Sequence, residues 1–214
     1  MRKNEVTQVK VKKIILGEMA SNCYVLQLSN ANCVLFDIGD GAAVLQAYLT
    51  EHELQPQAIF LTHGHYDHIA GVEEIRSAYH IPVYIHAQDA AMLSDSDKNL
   101  ATWLTTKPFQ KVTAWKTVTD GDTFSFEDTE ITVLHTPGHT KGSVCYRCDT
   151  LLFTGDTLFH LSRGRTDFPG GSDKEMLESF QKLRTLDDRY SVYPGHGEDS
   201  TLAFEKTHNL TFFA

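Results

Sequence analysis

The chain has 214 residues, of which 41% are hydrophobic and 22% are charged, as in an ordinary globular protein. This length suits one domain or two closely joined halves, and we predict a single domain over residues 1–214. The formal net charge of −9 argues against a broad phosphate-binding surface, so we expect no nucleic-acid partner.

The N-terminal segment is positively charged, but its longest apolar run extends only from Ile14 to Leu16. A secretory signal or a transmembrane helix needs a much longer apolar run than this. We therefore expect a cytoplasmic protein with no membrane partner, in which the four cysteines remain reduced. The sequence contains no pattern that indicates an oligomeric state.

Short β-type segments begin the chain and form a predicted meander, which consists of KVKKIILGE, NCYVLQLS and NCVLFDIG. A helix is predicted from Ala42 to Glu51, followed by a buried strand, AIFLT. A second helix is predicted from Val72 to Tyr79, then a strand, IPVYIH, and a helix from Ala87 to Leu93.

Hairpins return in the second half, where Gly121 and Asp128 are turn signals. LLFTGD is a predicted strand, residues Asp173 to Leu186 form an amphipathic helix, and YSVYPGHG is a last strand and loop. The chain thus contains two similar successions of strands and helices. This order predicts an α/β fold in which two sheets face each other between helices, a four-layer αββα sandwich.

Cys145 and Cys148 form a C-x-x-C pair within a predicted strand, turn and strand. A redox-active pair normally lies at a helix N-terminus, whereas residues three apart on a strand point to opposite faces. We therefore interpret these two residues as ordinary strand cysteines. Cys23 and Cys33 are interpreted in the same way.

The segment FLTHGHYDHIAG, residues 60–71, places four polar side chains at the end of a predicted strand: His63, His65, Asp67 and His68. The same arrangement of an apolar strand followed by a polar residue beside glycine recurs three times. The three later residues are His139, Asp156 and His196. Neutral imidazole and carboxylate are the ligands that bind zinc, manganese or iron.

A single histidine after a strand is usually an ordinary surface or core residue, and six others are interpreted that way: His52, His80, His86, His135, His160 and His208. Seven side chains of metal-ligand type at strand ends indicate a shared site instead, because a sandwich can bring strand ends to one edge. The set predicts a metal site, and the first cluster alone could supply two adjacent ions.

THGHYDH resembles the T-H-x-H-x-D-H signature of the metallo-β-lactamase superfamily. The resemblance implies an αββα fold with two divalent metal ions at one edge. It implies that the first ion is bound by His63, His65 and His139, the second by Asp67, His68 and His196, and that Asp156 bridges both. Asp37 in LFDIGD resembles the aspartate of that family that orients a ligand imidazole.

Within this superfamily the chain resembles short bacterial glyoxalase II-like (hydroxyacylglutathione hydrolase-like) proteins, because GDTLF is followed by GRTDFPGG at residues 164–171. Arg165 stands where those enzymes have a basic residue that contacts the thioester substrate. Leu161 and Arg163 depart from the pattern, in which we expect glycine and an apolar residue. Because only 18 residues follow His196, we expect the helical domain of full-length glyoxalase II to be absent.

The resemblance implies hydrolysis of a small-molecule acyl thioester such as S-lactoylglutathione. Zinc is the expected metal, with iron or manganese as alternatives, and a metal-activated water would make a protein nucleophile unnecessary. Asp67 and Arg165 are the expected catalytic residues. Two alternatives remain open: a persulfide dioxygenase with a single iron, and a hydrolase of another ester, lactone or amide.

Overall fold

Two six-stranded sheets form the framework in the computed structural model, which describes residues 10–127 and 129–213. The first sheet has the order β1 (Lys10–Leu16), β2 (Ser21–Gln27), β3 (Asn32–Phe36), β4 (Gln55–Phe60), β5 (Val83–His86) and β6 (Lys116–Val118). The second sheet contains, in chain order, β7 (Thr123–Phe126), β8 (Thr129–His135), β9 (Val144–Cys148), β10 (Leu151–Gly155), β13 (Ser191–Pro194) and β14 (Ser200–Thr201). Its spatial order is β14-β13-β10-β9-β8-β7.

Both sheets are mixed. The first begins as an antiparallel meander of β1, β2 and β3 and continues with parallel β4, β5 and β6. The second is antiparallel except for the parallel pair of β10 and β13. A separate small hairpin joins β11 (Leu158–Phe159) to β12 (Ser162–Arg163).

Over residues 10–127 and 129–213, six α-helices connect or flank the strands: α1 (Ala42–Glu51), α2 (Tyr66–Ile69), α3 (Val72–Tyr79), α4 (Ala101–Leu104), α5 (Asp173–Arg184) and α6 (Leu202–His208). Short 3₁₀ helices occupy Ala90–Ser94 and Leu210–Phe213. Within the described residues, none of the helices has the length and apolar character needed to cross a bilayer.

An apolar layer packs one sheet against the other. The first sheet contributes Tyr24, Leu26, Val34, Phe36, Ala58 and Phe60, and the second contributes Ile131, Val133, Val144, Tyr146, Cys148, Leu151 and Phe153. At its centre the rings of Phe36 and Phe153 stack with centroids 4.0 Å apart and an interplanar angle of 13°. Tyr146 is fully buried, and its hydroxyl donates to the carbonyl oxygen of Leu61 at 2.7 Å, so no polar atom of this ring is left without a partner.

Helices cover the outer face of each sheet. On the first sheet, Leu45 and Leu49 of α1 and Ile75 of α3 pack over Val25 and Leu35. The second sheet is covered by α5 together with residues near the C-terminus. The predicted four-layer αββα sandwich is therefore confirmed.

Helix α5 shows how local sequence produces this outer layer. Ser172 caps its N-terminus by accepting a hydrogen bond from the backbone N–H of Glu175 at 3.2 Å. The buried residues Met176, Phe180 and Leu183 follow the spacing of one helix face, so they pack on the sheet. The helix ends at Arg184, two residues before the predicted end at Leu186, and the Thr185 hydroxyl donates to the Lys182 carbonyl there.

Two local predictions need correction, and helix α6 was not predicted. The helix predicted from Ala87 to Leu93 is a turn followed by a 3₁₀ helix at Ala90–Ser94, because the side chain of Asp89 bonds to distant backbone groups. Strand β3 ends at Phe36, since Asp37 adopts a φ of 49°. Helix α6 follows the last predicted strand and loop. Gly121 lies in a turn with a φ of 83°, whereas Asp128 lies outside the described residues.

The interpretation of the cysteines is confirmed. Cys145 packs in the layer beneath α5, and Cys148 lies between the two sheets, so the pair points to opposite faces of β9. All four cysteines are buried and free. Burial raises the pKa of Cys145 to about 11 and that of Cys148 to about 12, so neither is a reactive thiolate at neutral pH.

The stacked pair between the sheets gives a test of the fold. Replacement of Phe153 by alanine should lower the free energy of unfolding by about 3 to 5 kcal/mol, because a cavity would be left between the layers. Leu210→Ala is the control, since Leu210 is 81% exposed, and its effect should stay within about 0.5 kcal/mol. Urea unfolding followed by circular dichroism measures both. Equal effects would mean that the inter-sheet layer does not stabilise the sandwich.

Candidate metal centre

The polar residues singled out at strand ends converge on one edge of the sandwich. Asp37 follows β3, and the segment from His63 to His68 follows β4, which runs parallel to β3. Asp156 and His196 follow β10 and β13, the parallel pair of the second sheet. Because parallel strands end at the same edge, loops from both sheets meet there. His139 joins them from the loop after β8.

The predicted ligands form two groups, and a third group of ligand type joins Asp37 to His63 and His68. In the first group, His63, His65 and His139 have ring nitrogens within 4.8 Å of one another, and Nδ1 of His65 is 2.9 Å from Nε2 of His139. In the second group, Asp67, His68 and His196 meet the same limit. There, Nε2 of His196 is 3.2 Å from Nε2 of His68 and 3.1 Å from Oδ2 of Asp67.

Asp156 lies between the two groups. Its Oδ1 is 3.4 Å from Nε2 of His68, and its Oδ2 is 3.5 Å from Nε2 of His139. Oδ2 is also 3.7 Å from Nε2 of His196, so the carboxylate as a whole lies close to both groups, as a bridging carboxylate would. A Cβ at Gly195 would collide with Oδ1 of Asp156, so only glycine lets the loop after β13 approach this closely.

Hydrogen bonds at Nδ1 fix the orientation of three imidazoles. Nδ1 of His68 donates to Oδ2 of Asp37 at 2.9 Å, and Nδ1 of His139 donates to the carbonyl of Arg165 at 2.7 Å. The Thr62 hydroxyl gives its hydrogen to Asp37 at 2.7 Å, so it accepts from Nδ1 of His63 at 3.1 Å. In its neutral form each ring therefore presents Nε2, with its lone pair, toward the edge of the sandwich.

This donor set fits metal ions. Nε2 of His63 and Oδ1 of Asp156 are buried and have no hydrogen-bond partner among the described residues. Buried polar atoms are normally paired, and a metal ion would supply the missing partner. Asp37 differs from these atoms, because its oxygens already accept from Thr62 N, Thr62 Oγ1 and His68 Nδ1. It is placed to orient His68 rather than to bind an ion.

The charges of the site also favour bound cations. Burial and the neighbouring imidazoles lower the pKa of His63, and they lower that of His65 to about 3, so both rings are neutral at pH 7. Neutral imidazole is the form that binds metal. Burial acts to lower the pKa of His68, but the carboxylates of Asp67, Asp156 and Asp37 outweigh it and raise the pKa. The cluster of carboxylates thus attracts positive charge, from protons or from metal ions.

A cavity of about 400 Å³ opens over these residues. Its floor contains five of the candidate ligands, which are His65, Asp67, His139, Asp156 and His196. Its walls are mostly apolar, formed by Met19, Leu100, Leu104, Phe159 and Phe168. The described lining residues include no serine, threonine, cysteine or lysine that could act as a nucleophile. The cavity can therefore hold a small molecule with an apolar part above the ligand groups.

Arg165 also lines the cavity, as its predicted role requires. Its guanidinium lies 3.9 Å from the centroid of the Phe168 ring and bonds to both carboxylate oxygens of Asp167, at 2.6 and 2.7 Å. A substrate anion would share this guanidinium with Asp167 or replace that carboxylate. The backbone carbonyl of Arg165 orients His139, so its main chain and its side chain have separate tasks.

The two departures from the family pattern have structural counterparts. Leu161 adopts a φ of 54°, the left-handed region that glycine enters without strain, and its N–H donates to the buried carboxylate of Glu205 at 2.9 Å. Arg163 bonds to Asp173 at 2.8 Å rather than facing the cavity.

Sequence reasoning missed Thr62 and Asp89. Thr62 joins Asp37 to His63, and it is the first residue of the quoted THGHYDH segment. Asp89 contacts the loops of both sheets behind the ligands. It follows strand β5 as the other polar residues follow theirs, and that position was the available signal.

Comparison with known protein families supports the same interpretation. The profile described as metallo-beta-lactamase superfamily matches residues 16–196. An uncharacterized protein of Mycobacterium tuberculosis is 37% identical, covering 90% of this chain and 93% of its own length. A probable metallo-hydrolase of Bacillus subtilis, YqgX, is 34% identical over 94% of this chain and 96% of its own. A hydroxyacylglutathione hydrolase of Erwinia tasmaniensis is 36% identical over 88% of this chain, and the match spans 64% of that enzyme.

Solved structures are similar over nearly the whole chain. The B3 metallo-beta-lactamase BLEG-1 has a TM-score of 0.89 and 38% identity, with 94% of this chain and 98% of that chain covered. TTHA1623, crystallised in a di-iron-bound form, has a TM-score of 0.83 and 32% identity, with 92% and 98% covered. ETHE1 from Myxococcus xanthus has a TM-score of 0.74 and 26% identity, with 94% and 83% covered.

The position of Asp156 between the two groups generates a prediction. Asp156→Ala should reduce bound metal to one ion or fewer per chain, because neither ion would keep the carboxylate that offsets their mutual repulsion. Metal content is measured by mass spectrometry of the zinc-loaded protein.

Asp188→Ala is the matched control, since Asp188 is an exposed carboxylate that pairs with Lys206 and lies outside the described cavity lining. It should retain the wild-type metal content. A folded Asp156→Ala variant that still carries two ions would show that this aspartate belongs only to its turn.

Proposed function

The chain belongs to the metallo-beta-lactamase superfamily, and from this membership we propose that it is a metallo-hydrolase that cleaves small acyl thioesters of the S-lactoylglutathione type. The observation that carries the proposal is the pair of ligand groups, with Asp156 between them, beside a cavity whose described lining contains no serine, threonine, cysteine or lysine. The similarity to hydroxyacylglutathione hydrolases supports the thioester as substrate.

We assign the first ion to His63, His65 and His139, and the second to Asp67, His68 and His196, with Asp156 shared by both. Zinc is the proposed metal, because imidazole and carboxylate suit it and the site needs no redox change for hydrolysis. Ions bound there would supply a water molecule of lowered pKa and polarise the carbonyl group of the substrate.

Asp67 has a second proposed role, which is to orient the attacking water. Burial acts to raise its pKa, but His68 and His196 outweigh this and hold the pKa of Asp67 well below its usual value. Its carboxylate is thus ionised at neutral pH and can accept a hydrogen bond from water. A base this weak orients the water rather than removing its proton.

The residues of the cavity walls exclude water and bind the substrate. Phe159, Phe168 and Leu104 exclude water from the acyl group and strengthen electrostatic interactions at the floor. Arg165, at the cavity wall, would bind an anionic part of the thiol.

A second candidate is hydrolysis of a lactam or another amide, ester or lactone, and the 38% identity to the beta-lactamase BLEG-1 favours it. A third is oxygen chemistry at a single iron, such as persulfide dioxygenation. Two histidines and one carboxylate form the set that activates oxygen, and His63, His139 and Asp156 offer one. The di-iron form of TTHA1623 supports iron as a metal to test.

Metal analysis and a substrate panel distinguish these candidates. Protein purified without added metal should contain about two zinc ions per chain, and it should hydrolyse S-lactoylglutathione faster than a chromogenic beta-lactam. Chelation should abolish this turnover, and added zinc should restore it. One iron per chain, with oxygen consumed in the presence of glutathione persulfide and no thioester cleaved, would instead establish the dioxygenase.

Arg165 gives a sharper test of substrate binding. Arg165→Ala should reduce kcat/KM for S-lactoylglutathione. The loss should correspond to about 1.5 to 3 kcal/mol of transition-state stabilisation, the value of a hydrogen bond to a charged group. A neutral lactoyl thioester of N-acetylcysteamine should be affected little, and the metal content should not change. Arg163→Ala is the control, since that guanidinium bonds to Asp173. If Arg165→Ala has no effect on either substrate, the residue only stabilises its turn.

A further inference from the structure

Each proposed ion site is divided between the two sheets. In the first set, His63 and His65 follow β4 of the first sheet, whereas His139 follows β8 of the second. The second set is divided in the same way, with Asp67 and His68 on one side and His196 on the other. The contact between the sheets is the apolar layer described above, and apolar packing has no preferred direction. Metal ligands need their positions fixed within a few tenths of an ångström.

Asp89 provides a directional contact between the two halves of the first set. Its carboxylate accepts hydrogen bonds from the N–H of Gly64 at 3.1 Å, from the hydroxyl of Thr140 at 2.7 Å and from the N–H of Gly142 at 2.8 Å. Gly64 stands between His63 and His65 in the chain, and Thr140 follows His139. One carboxylate thus joins the two loops that carry the three proposed ligands.

The surroundings of Asp89 exclude a role in contact with substrate. The residue is only 1% exposed, and it is not among the described residues that line the cavity. A Cβ at Gly142 would lie 2.6 Å from Cγ of Asp89, so the second loop can close over the carboxylate only because residue 142 is glycine. Its contacts are therefore with the ligand loops and not with the reacting molecule.

The second set has a separate link between the sheets. The backbone N–H of Asn22 in β2 donates to the carbonyl of Gly195 at 2.7 Å, and its side-chain amide donates to the carbonyl of Pro194 at 2.9 Å. The hydroxyl of Tyr24 donates to the same Pro194 carbonyl at 2.7 Å. These contacts hold the loop that carries His196, and they do not involve Asp89.

We propose that Asp89 is a positioning residue for the first ion, because it holds the loop of His63 and His65 at a fixed distance from the loop of His139. The inference rests on the ligand assignment made under the proposed function. It requires that loss of the Asp89 carboxylate weaken the first ion selectively, while the link from Asn22 and Tyr24 preserves the second.

Asp89→Asn is the informative variant. It keeps the size of the side chain but replaces one acceptor oxygen with an NH₂ group, which then faces an N–H or O–H donor. Competition with a chelator measures the two zinc dissociation constants. We expect one constant to rise about tenfold or more, as for other residues that hold metal ligands in place, and the other to stay at its wild-type value.

Two further variants assign the constants. His65→Ala removes a ligand of the first set and should weaken the first ion. The zinc dissociation constant that keeps its wild-type value in both His65→Ala and Asp89→Asn is therefore that of the second ion. Tyr24→Phe removes a buried hydrogen bond from the His196 loop, and it should leave the first constant unchanged. If Asp89→Asn does not fold, Thr140→Val removes one of the three donors and should weaken the same ion to a smaller degree.

The zinc dissociation constants report how well the ligands are positioned. The stability of the fold is measured in parallel by urea unfolding of the metal-free proteins, so the two effects can be separated. A folded Asp89→Asn chain with two wild-type constants, or with both constants weakened equally, would overturn the role of Asp89. A wild-type chain that binds neither zinc nor iron would overturn the ligand assignment itself, and with it the proposed function.

Discussion

The apolar contact between the two sheets is the constraint on which the rest of the structure depends. Stacking of Phe36 on Phe153 closes the sandwich, and this closure brings loops of the first sheet against loops of the second. Neither sheet by itself contains a complete ligand set. The candidate centre is therefore a property of the interface between layers, and its residues come from segments that are far apart in the chain.

Hydrogen bonds give this interface the accuracy that apolar packing lacks. Asp37 holds Thr62 and His68 together, and Thr62 in turn orients His63. Asp89 joins the two loops of the first group, and the Asn22 and Tyr24 contacts hold the His196 loop. The centre is thus supported by groups that do not face the cavity. This support explains how several carboxylates and imidazoles can be buried side by side at an acceptable energetic cost.

The cavity combines a charged floor with apolar walls. The floor can bind cations and polarise a carbonyl group, whereas the walls favour a substrate with an apolar part and exclude water. Among the described residues that line the cavity, Arg165 is the only arginine or lysine, and its guanidinium already bonds to Asp167. Recognition of an anionic thiol would therefore involve competition with Asp167, which limits how strongly charge alone can select the substrate.

The sequence by itself determined the layers, the cysteine positions and the candidate ligands, because each depends on local properties: the alternation of apolar residues, and a polar side chain at the end of a strand. The tertiary structure decided what depends on distant contacts. Asp89 lies in a turn rather than in the predicted helix because its carboxylate bonds to Gly142, 53 residues away. Likewise, Nε2 of His63 is the free nitrogen because Thr62 gives its hydroxyl hydrogen to Asp37, 25 residues away. Such pairings form only when the two sheets close, and no local pattern in the chain encodes them.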